Sequence, residues 1–510
     1  MTDDRIIDPG KPSETASAFK AARYPTLINH QDEWLSWDGS VYQSIENATI
    51  ESEISEFLQG ARRWQAQGNN LIAVPYFAKS KDVKEAYTLL KHACHVPSNT
   101  MAPPSWLPGA PKKLAALSPR NIIAFKNGLL DITTRKLYPA TASFFTRSAL
   151  PFDFDPGAAK PERWLAFLDE VTAGKGENGE PVPRPALVQL IREMMGYLIS
   201  CNTSQQVVFH FYGQPRSGKG TVLRVLRSIV GERNTAAPTV QNLAGEFGPS
   251  SLIGKSLAMI TDMATDNRQH LSAAASHINA ISGEDPQTIR RMYREPWSGY
   301  LPTRFVLVSN ALPNFGAHTL ALSTRLRIVP FENSFQDRMD ADLTAKLIAE
   351  RAGIILWCLD GLDDLNLTGR FDEPADCATL KARLVLRSNP IVGFVAECCT
   401  VAREVTIDKD VLYDRYLDYC DDVRVRPKPK EDFSEGLADL FPSVYASKRT
   451  HSPGSARKVP CYRNIVLNDT EMARLFKTDP GLAELGVDPL LRDEAGNLIL
   501  RDDREPAFEY

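Results

Sequence analysis

The stretch Gln206-Val207-Val208-Phe209-His210-Phe211-Tyr212-Gly213-Gln214-Pro215-Arg216-Ser217-Gly218-Lys219-Gly220-Thr221 decides the fold. Its first half is a short apolar and aromatic run that reads as a buried strand. After it, Val222, Leu223, Val225, Leu226, Ile229 and Val230 recur at helical spacing until Gly231. A glycine loop between a strand and a helix turns consecutive backbone N–H groups around an anion. The helix N-terminus adds partial positive charge, and Lys219 brings an ammonium to the β- and γ-phosphates. Gly213, Gln214, Pro215, Arg216, Ser217, Gly218, Lys219, Gly220 and Thr221 are therefore the candidate nucleotide-binding residues. One position departs from the Gly-x-x-x-x-Gly-Lys-Ser/Thr pattern: Gly220 stands where a Mg²⁺-binding hydroxyl belongs, and Thr221 follows one residue late as the candidate metal ligand. By itself the loop fits kinases, GTPases and motors, and its bland alternative is a glycine-rich turn that binds nothing.

Outward from the loop, Leu257-Ala258-Met259-Ile260, Phe305-Val306-Leu307-Val308 and Leu326-Arg327-Ile328-Val329-Pro330-Phe331 are short, continuous apolar runs. Such runs suit strands buried on both faces of a parallel sheet, which predicts an α/β core. Asp262 closes the first run and can aim a carboxylate at Mg²⁺ or its water shell; alone it would be an ordinary strand-end residue. Asn310 ends the second and can orient an attacking water, although strand-end Asn is common in turns. Arg325 precedes the third, where it can reach a neighbouring subunit's γ-phosphate. Lys219, Asp262, Asn310 and Arg325 are the catalytic candidates, with Thr221 and Asp262 for the metal. Between these runs, Ser282-Gly283-Glu284-Asp285 leads into a ribbon bearing Arg290, Arg291, Tyr293 and Arg294, able to grip phosphates and stack on a base. A solvated basic edge strand is the plainer alternative.

The 510 residues bound two to four domains. With 43% hydrophobic and 24% charged residues the composition is globular, and no window approaches the length of a membrane span. No basic n-region with an apolar core opens the sequence, so a cytoplasmic protein is expected. The eight cysteines are scattered without Cys-x-x-Cys spacing and read as buried free thiols; His92, Cys94 and His95 find no second cluster to complete a zinc site. A net charge of −4 leaves nucleic-acid contact to local patches.

Along the chain, residues 1–23 read as a flexible lead-in and 24–185 as a mixed α+β region, with a hairpin turning at Asp38-Gly39. The motor occupies 186–375, a linker 376–390, a winged-helix domain 391–470 and a tail 471–510. In the winged-helix segment, residues 442–463 hold Lys448, Arg449, Arg457, Lys458 and Arg463 with no Asp or Glu. Lys448, Arg449, Arg457 and Lys458 are candidate duplex contacts, with Gly454 suited to a wing turn; a disordered basic loop is the alternative.

The series Gly213 to Thr221, Leu257 to Asp262, Ser282-Gly283-Glu284-Asp285 with its ribbon, Val308-Ser309-Asn310-Ala311-Leu312-Pro313 and Ser323-Thr324-Arg325 resembles the Walker A, Walker B, B-prime, sensor and arginine-finger motifs of superfamily III helicases. More narrowly it is similar to phage and plasmid primase-helicases, relatives of the poxvirus replicative nucleoside triphosphatase, over about residues 24–467. The resemblance implies an AAA+-like P-loop core with a C-terminal winged helix. It also implies a homo-hexameric ring that hydrolyses ATP with Mg²⁺ and moves on single-stranded DNA. Forked DNA, origin duplex DNA and a separate primase or polymerase are the implied partners, with no membrane.

Two departures bear on that expectation. Met263 follows Asp262 where many members have a second acid, which leaves the general base open between Asp266 and Glu284. Fewer than two hundred residues precede the motor and show no acidic metal triad, so primase activity is not expected in this chain. Two further readings remain. One is a nucleotide-switched origin-binding loader without unwinding, and the other a small-molecule P-loop kinase, which leaves the arginine ribbon without a role.

Overall fold

The protein is described here from a computed structural model, which covers all residues except 1–5, 9–10, 68–69, 99–100, 177, 262, 264–266, 293, 337–339, 424, 451–456 and 469–510. The N-terminal region combines a three-stranded antiparallel sheet (Ile28–His30, Glu33–Trp37, Tyr42–Ile45) with helices Asn47–Gln59 and Ser80–Ala93. Asp38 makes the expected turn: its Oδ1 accepts the N–H groups of Ser40 and Val41, both at 3.0 Å. Where a flexible lead-in was expected, residues Pro12–Arg23 form a helix. Pro12 at its start presets φ and needs no N–H, and Thr15, Ala16 and Phe19 recur on one buried face. Pro12 and Ser13 are helix-start residues here, not linker.

The central domain is built on five parallel strands: β1 (Val208–Gly213), β2 (Thr235–Ala236), β3 (Leu257–Ile260), β4 (Arg304–Ser309) and β5 (Leu326–Phe331). Their order is β2-β3-β4-β1-β5, so the loop-bearing strand lies between β4 and β5. Side chains alternate between two cores. Phe209, Phe211, Val306 and Val329 pack on one face with helices α1 (Pro185–Ile199), α2 (Lys219–Val230) and α5 (Arg351–Thr368). Val208, Phe305, Leu307 and Ile328 pack on the other with α3 (Arg268–Ser282). Both faces are dry, so the strands read as unbroken apolar runs instead of alternating ones.

After α4 (Thr319–Arg325) and β5, the expected linker over 376–390 is largely helical: α6 spans Ala375–Ser388. Cys377, Leu380 and Leu384 recur at helical spacing, and Leu380 and Leu384 pack against the α3-side core. The C-terminal unit folds as helix Pro390–Cys398, strand Cys399–Asp408, helices Lys409–Asp422 and Lys430–Leu440, and strands Tyr445–Thr450 and Lys458–Leu467. Its antiparallel sheet has the Lys458–Leu467 strand in the centre, over a core of Phe394, Leu412, Tyr416 and Phe433. All eight cysteines are free thiols, six buried and two, Cys201 and Cys398, partly so. No helix among the described residues is long and apolar enough to cross a membrane.

Candidate functional site

Parallel pairing aligns the strand ends that make the site. Tyr212 is level with Ser309 and Gly213 with Phe331, so the chain leaves β1, β4 and β5 along one edge. Gly213 has φ +154°, and a Cβ there would sit 2.0 Å from the Phe331 carbonyl oxygen. Gly218 has φ +92° and would drive a Cβ to 2.6 Å from Val171 Cγ1. These two glycines are dictated by geometry, and they let the loop close over the start of α2. Thr221 N and Val222 N donate to the Gly218 carbonyl at 2.9 and 3.1 Å, which closes the first turn of α2 against the loop; the start of a helix in such a loop is the usual anion cradle.

Lys219 is 6% exposed, and its ammonium donates to Gly213 O at 2.7 Å, Gln214 O at 2.6 Å and Ser217 Oγ at 3.1 Å. Burial pushes its pKa down. A phosphate placed in the loop would supply the missing negative charge and draw the ammonium away from the loop carbonyls. Gly220, by contrast, has ample room: a Cβ would meet nothing closer than Arg224 Nη1 at 3.4 Å. The hydroxyl of Thr221 accepts from Arg224 Nη2 at 3.0 Å, and Arg224 Nε donates to Thr344 Oγ1 at 3.1 Å. The Thr221 hydroxyl accepts this one bond and keeps a second lone pair, beside the positive charge of Arg224. Asp262, its expected partner, lies outside the described residues, as do Asp266 and Tyr293.

Asn310 is exposed and lines a cavity of about 410 Å³ with Gly213, Gln214, Glu332, Lys175 and Arg383. Behind it, His210 is fully buried in β1, with Nε2 2.7 Å from Ser309 Oγ, and Ser309 donates to the Ala311 carbonyl. This buried link ties the loop strand to the strand carrying Asn310. Burial, reinforced by the Lys219 charge, lowers the His210 pKa to about 3, so the ring is neutral. Lys175 and Arg383 were missed by sequence reasoning. Lys175 belongs to a hairpin distant in sequence, and Arg383 to a segment read as linker; the apolar spacing of α6 was the available signal for Arg383.

Arg325 lies at the opposite end of the sheet. It ends α4, and Nη1 donates to Gln206 Oε1 at 3.3 Å, just before β1. From the Leu326–Val208 pairing to the Phe331–Gly213 pairing the sheet advances roughly 17 Å at about 3.3 Å per residue. Arg325 cannot serve the phosphate loop of its own chain. Glu284 is at that far end too, accepting from Thr203 Oγ1, which removes it as a base for the same loop.

The arginine ribbon is a separate hairpin of Gln287–Arg291 and Arg294–Gly299. Arg290 pairs with Glu246, Arg291 donates to Glu295 O at 2.9 Å and Gln31 O at 3.2 Å, and Arg294 is exposed. In the C-terminal unit Lys448, Arg457 and Lys458 are exposed, while Arg449 Nε pairs with Asp408 at 2.7 Å. Gly454 lies outside the described residues.

Three family models match consecutive parts of the chain: "D5 N terminal like" over residues 23–173, a family of unknown function (DUF5906) over 211–325, and "Poxvirus D5 protein-like" over 386–470. D5-like segments thus flank the five-stranded domain, and these two matches point to D5-like proteins. The DUF5906 match runs from β1 to Arg325 and so spans the phosphate loop, β3 and β4. Similar solved structures include the apo NrS-1 C terminal region, 11% identical, covering 89% of this chain and 99% of that one with a TM-score of 0.47. An A form of the same region is 11% identical and covers 86% and 95%, with a TM-score of 0.43.

Proposed function

We propose that the chain is an ATP-dependent replicative DNA helicase of the superfamily III, AAA+-like type, acting on single-stranded and forked DNA as a homo-hexameric ring beside a separate primase or polymerase. The observation that carries this reading is the split of the site. Lys219 and Asn310 converge on one edge of the sheet, whereas Arg325 stands at the other, so a complete site needs a second copy of the chain. In such a pair Lys219 holds the β- and γ-phosphates, Asn310 orients the attacking water and the neighbour's Arg325 meets charge developing on the transferred phosphoryl group. Thr221 and Asp262 would hold Mg²⁺, which would supply positive charge to the phosphates. Lys175 and Arg383 border the same cavity and add positive potential toward the phosphates.

The hairpin of Arg290, Arg291 and Arg294 is the candidate DNA grip, with Arg294 its exposed guanidinium. The C-terminal unit, read as a winged helix, offers Lys448, Arg457 and Lys458 to DNA phosphates. Its helix Lys430–Leu440 carries Glu431, Asp432, Glu435 and Asp439, so phosphate contact favours the strands over that helix. DNA-stimulated ATP hydrolysis by the full chain, lost in Lys219→Ala and Arg325→Ala, tests the reading; turnover unchanged in both variants rejects it. Met263, where a second acid would stand, and the basic C-terminal segment favour a second reading, a nucleotide-switched origin-binding loader, which would assemble on a fork with ATP and displace no strand.

A further inference from the structure

At the end of the sheet away from the phosphate loop lies a cavity of about 530 Å³, enclosed by the N-terminal region, the end of α1, the approach to β3 and the root of the arginine hairpin. Arg304, the first residue of β4, lines it and is 4% exposed. Its Nη2 donates to Leu198 O at 3.0 Å, while Nε is buried with no partner among the described residues. A buried guanidinium without a counter-charge is unfavourable until an anion meets it. His30 and Gln31 also line it; Nε2 of His30, whose ring bonds the Met101 backbone, and Oε1 of Gln31 are buried away from the cavity with no partner among the described residues. Arg147 and Lys255 add two cations to the wall; Arg147 is already paired with Glu33 at 2.6 Å, and Lys255 donates to Arg233 O at 2.6 Å. They share that wall with a neighbouring cavity of about 780 Å³ that brings in Lys126 and Arg233.

Most of the remaining lining is apolar, with Trp297 and Tyr300 from the hairpin root offering flat rings. Arg304 and the aromatic wall specify one ligand chemistry: an anion against the guanidinium and a planar ring against Trp297 and Tyr300. We propose that this cavity is a second nucleotide site, taking one nucleobase with its phosphate, supplied either as a free nucleotide or as one unit of a single strand. The ring of the base lies against Trp297 and its phosphate faces the guanidinium of Arg304, with His30 and Gln31 on the same wall. The cavity is separate from the phosphate loop, so this assignment does not depend on ATP hydrolysis.

The test uses the full chain carrying Lys219→Ala, which disables the phosphate loop, and calorimetric titration with dTMP and with a fifteen-residue oligo-dT. Two variants are added to that background. Arg304→Met removes the buried charge, and Ala102→Trp fills the exposed cavity edge without touching the core. Binding of dTMP to the parent, weakened at least tenfold by Ala102→Trp and by Arg304→Met if the latter folds, is the expected result. If the strand is the source, oligo-dT weakens in parallel and dTMP competes with it; if free nucleotide is the source, oligo-dT affinity stays unchanged. Absence of dTMP binding to the parent at millimolar concentration, or affinity for both probes unchanged in Ala102→Trp, overturns the assignment.

Discussion

Arg325 donates to Gln206 at 3.3 Å at the end of β1 remote from Gly213. The finger candidate and the phosphate loop of one chain are thus held apart by the length of the strand.

This separation predicts complementation between defective subunits. Lys219→Ala and Arg325→Ala chains should each fall at least about 10³-fold in ATP turnover, as loss of an arginine finger implies. Mixed in equal amounts, they should regain a measurable fraction, because some interfaces pair an intact loop with an intact finger. A mixture no more active than its components would argue that Arg325 has no catalytic role across an interface.

Gly220 predicts a gain instead of a loss. Its open surroundings leave space for a hydroxyl, and its backbone needs no positive φ. Thr221→Val should weaken Mg²⁺ dependence of turnover, and Gly220→Ser in the same chain should restore it. Mg²⁺ titration of ATP hydrolysis reads both; a Thr221→Val chain with unchanged Mg²⁺ dependence would take Thr221 out of the metal site.

Arg383 provides a check on the residues missed by sequence reasoning. Arg383→Ala should raise KM for ATP several-fold while leaving thermal stability near that of the parent, since the side chain is exposed beside the cavity. Unchanged steady-state kinetics would make Arg383 a bystander.

Buried histidines set an acid limit on stability. The native His210 pKa is lowered to about 3 by burial and Lys219, against about 6.5 unfolded. Below pH 6.5 the unfolded chain takes up a proton that the native chain refuses. The His210 contribution is therefore complete above pH 6.5 and is lost as pH falls toward 3, at up to about 1.4 kcal/mol per pH unit. His30 and His277, both lowered by burial, act in the same direction. Denaturant unfolding of His210→Gln should show a shallower slope between pH 6.5 and 4.5 by about one proton; an unchanged slope would contradict the buried neutral ring.

The strands of the parallel sheet were legible because burial on both faces writes them as continuous apolar runs, and the loop because its glycines answer a geometric demand. Helices Pro12–Arg23 and Ala375–Ser388 were hidden for another reason. Their apolar stripes are narrow, and Pro12 or Pro374 at the start resembles linker punctuation although proline is well placed there. Within the site, Lys219 and Asn310 announced themselves through strand ends. Lys175, Arg383 and the buried Arg304 did not, because their partners come from elements far away in sequence. The pairing of Thr221 with Arg224 is local, but only coordinates show that the hydroxyl accepts from the guanidinium.

The central claim is most directly tested by strand displacement on a forked DNA, with the full chain, ATP and Mg²⁺. ATP-dependent release of the displaced strand, abolished by Lys219→Ala, is the predicted result; assembly on the fork with ATP turnover but no released strand would contradict it.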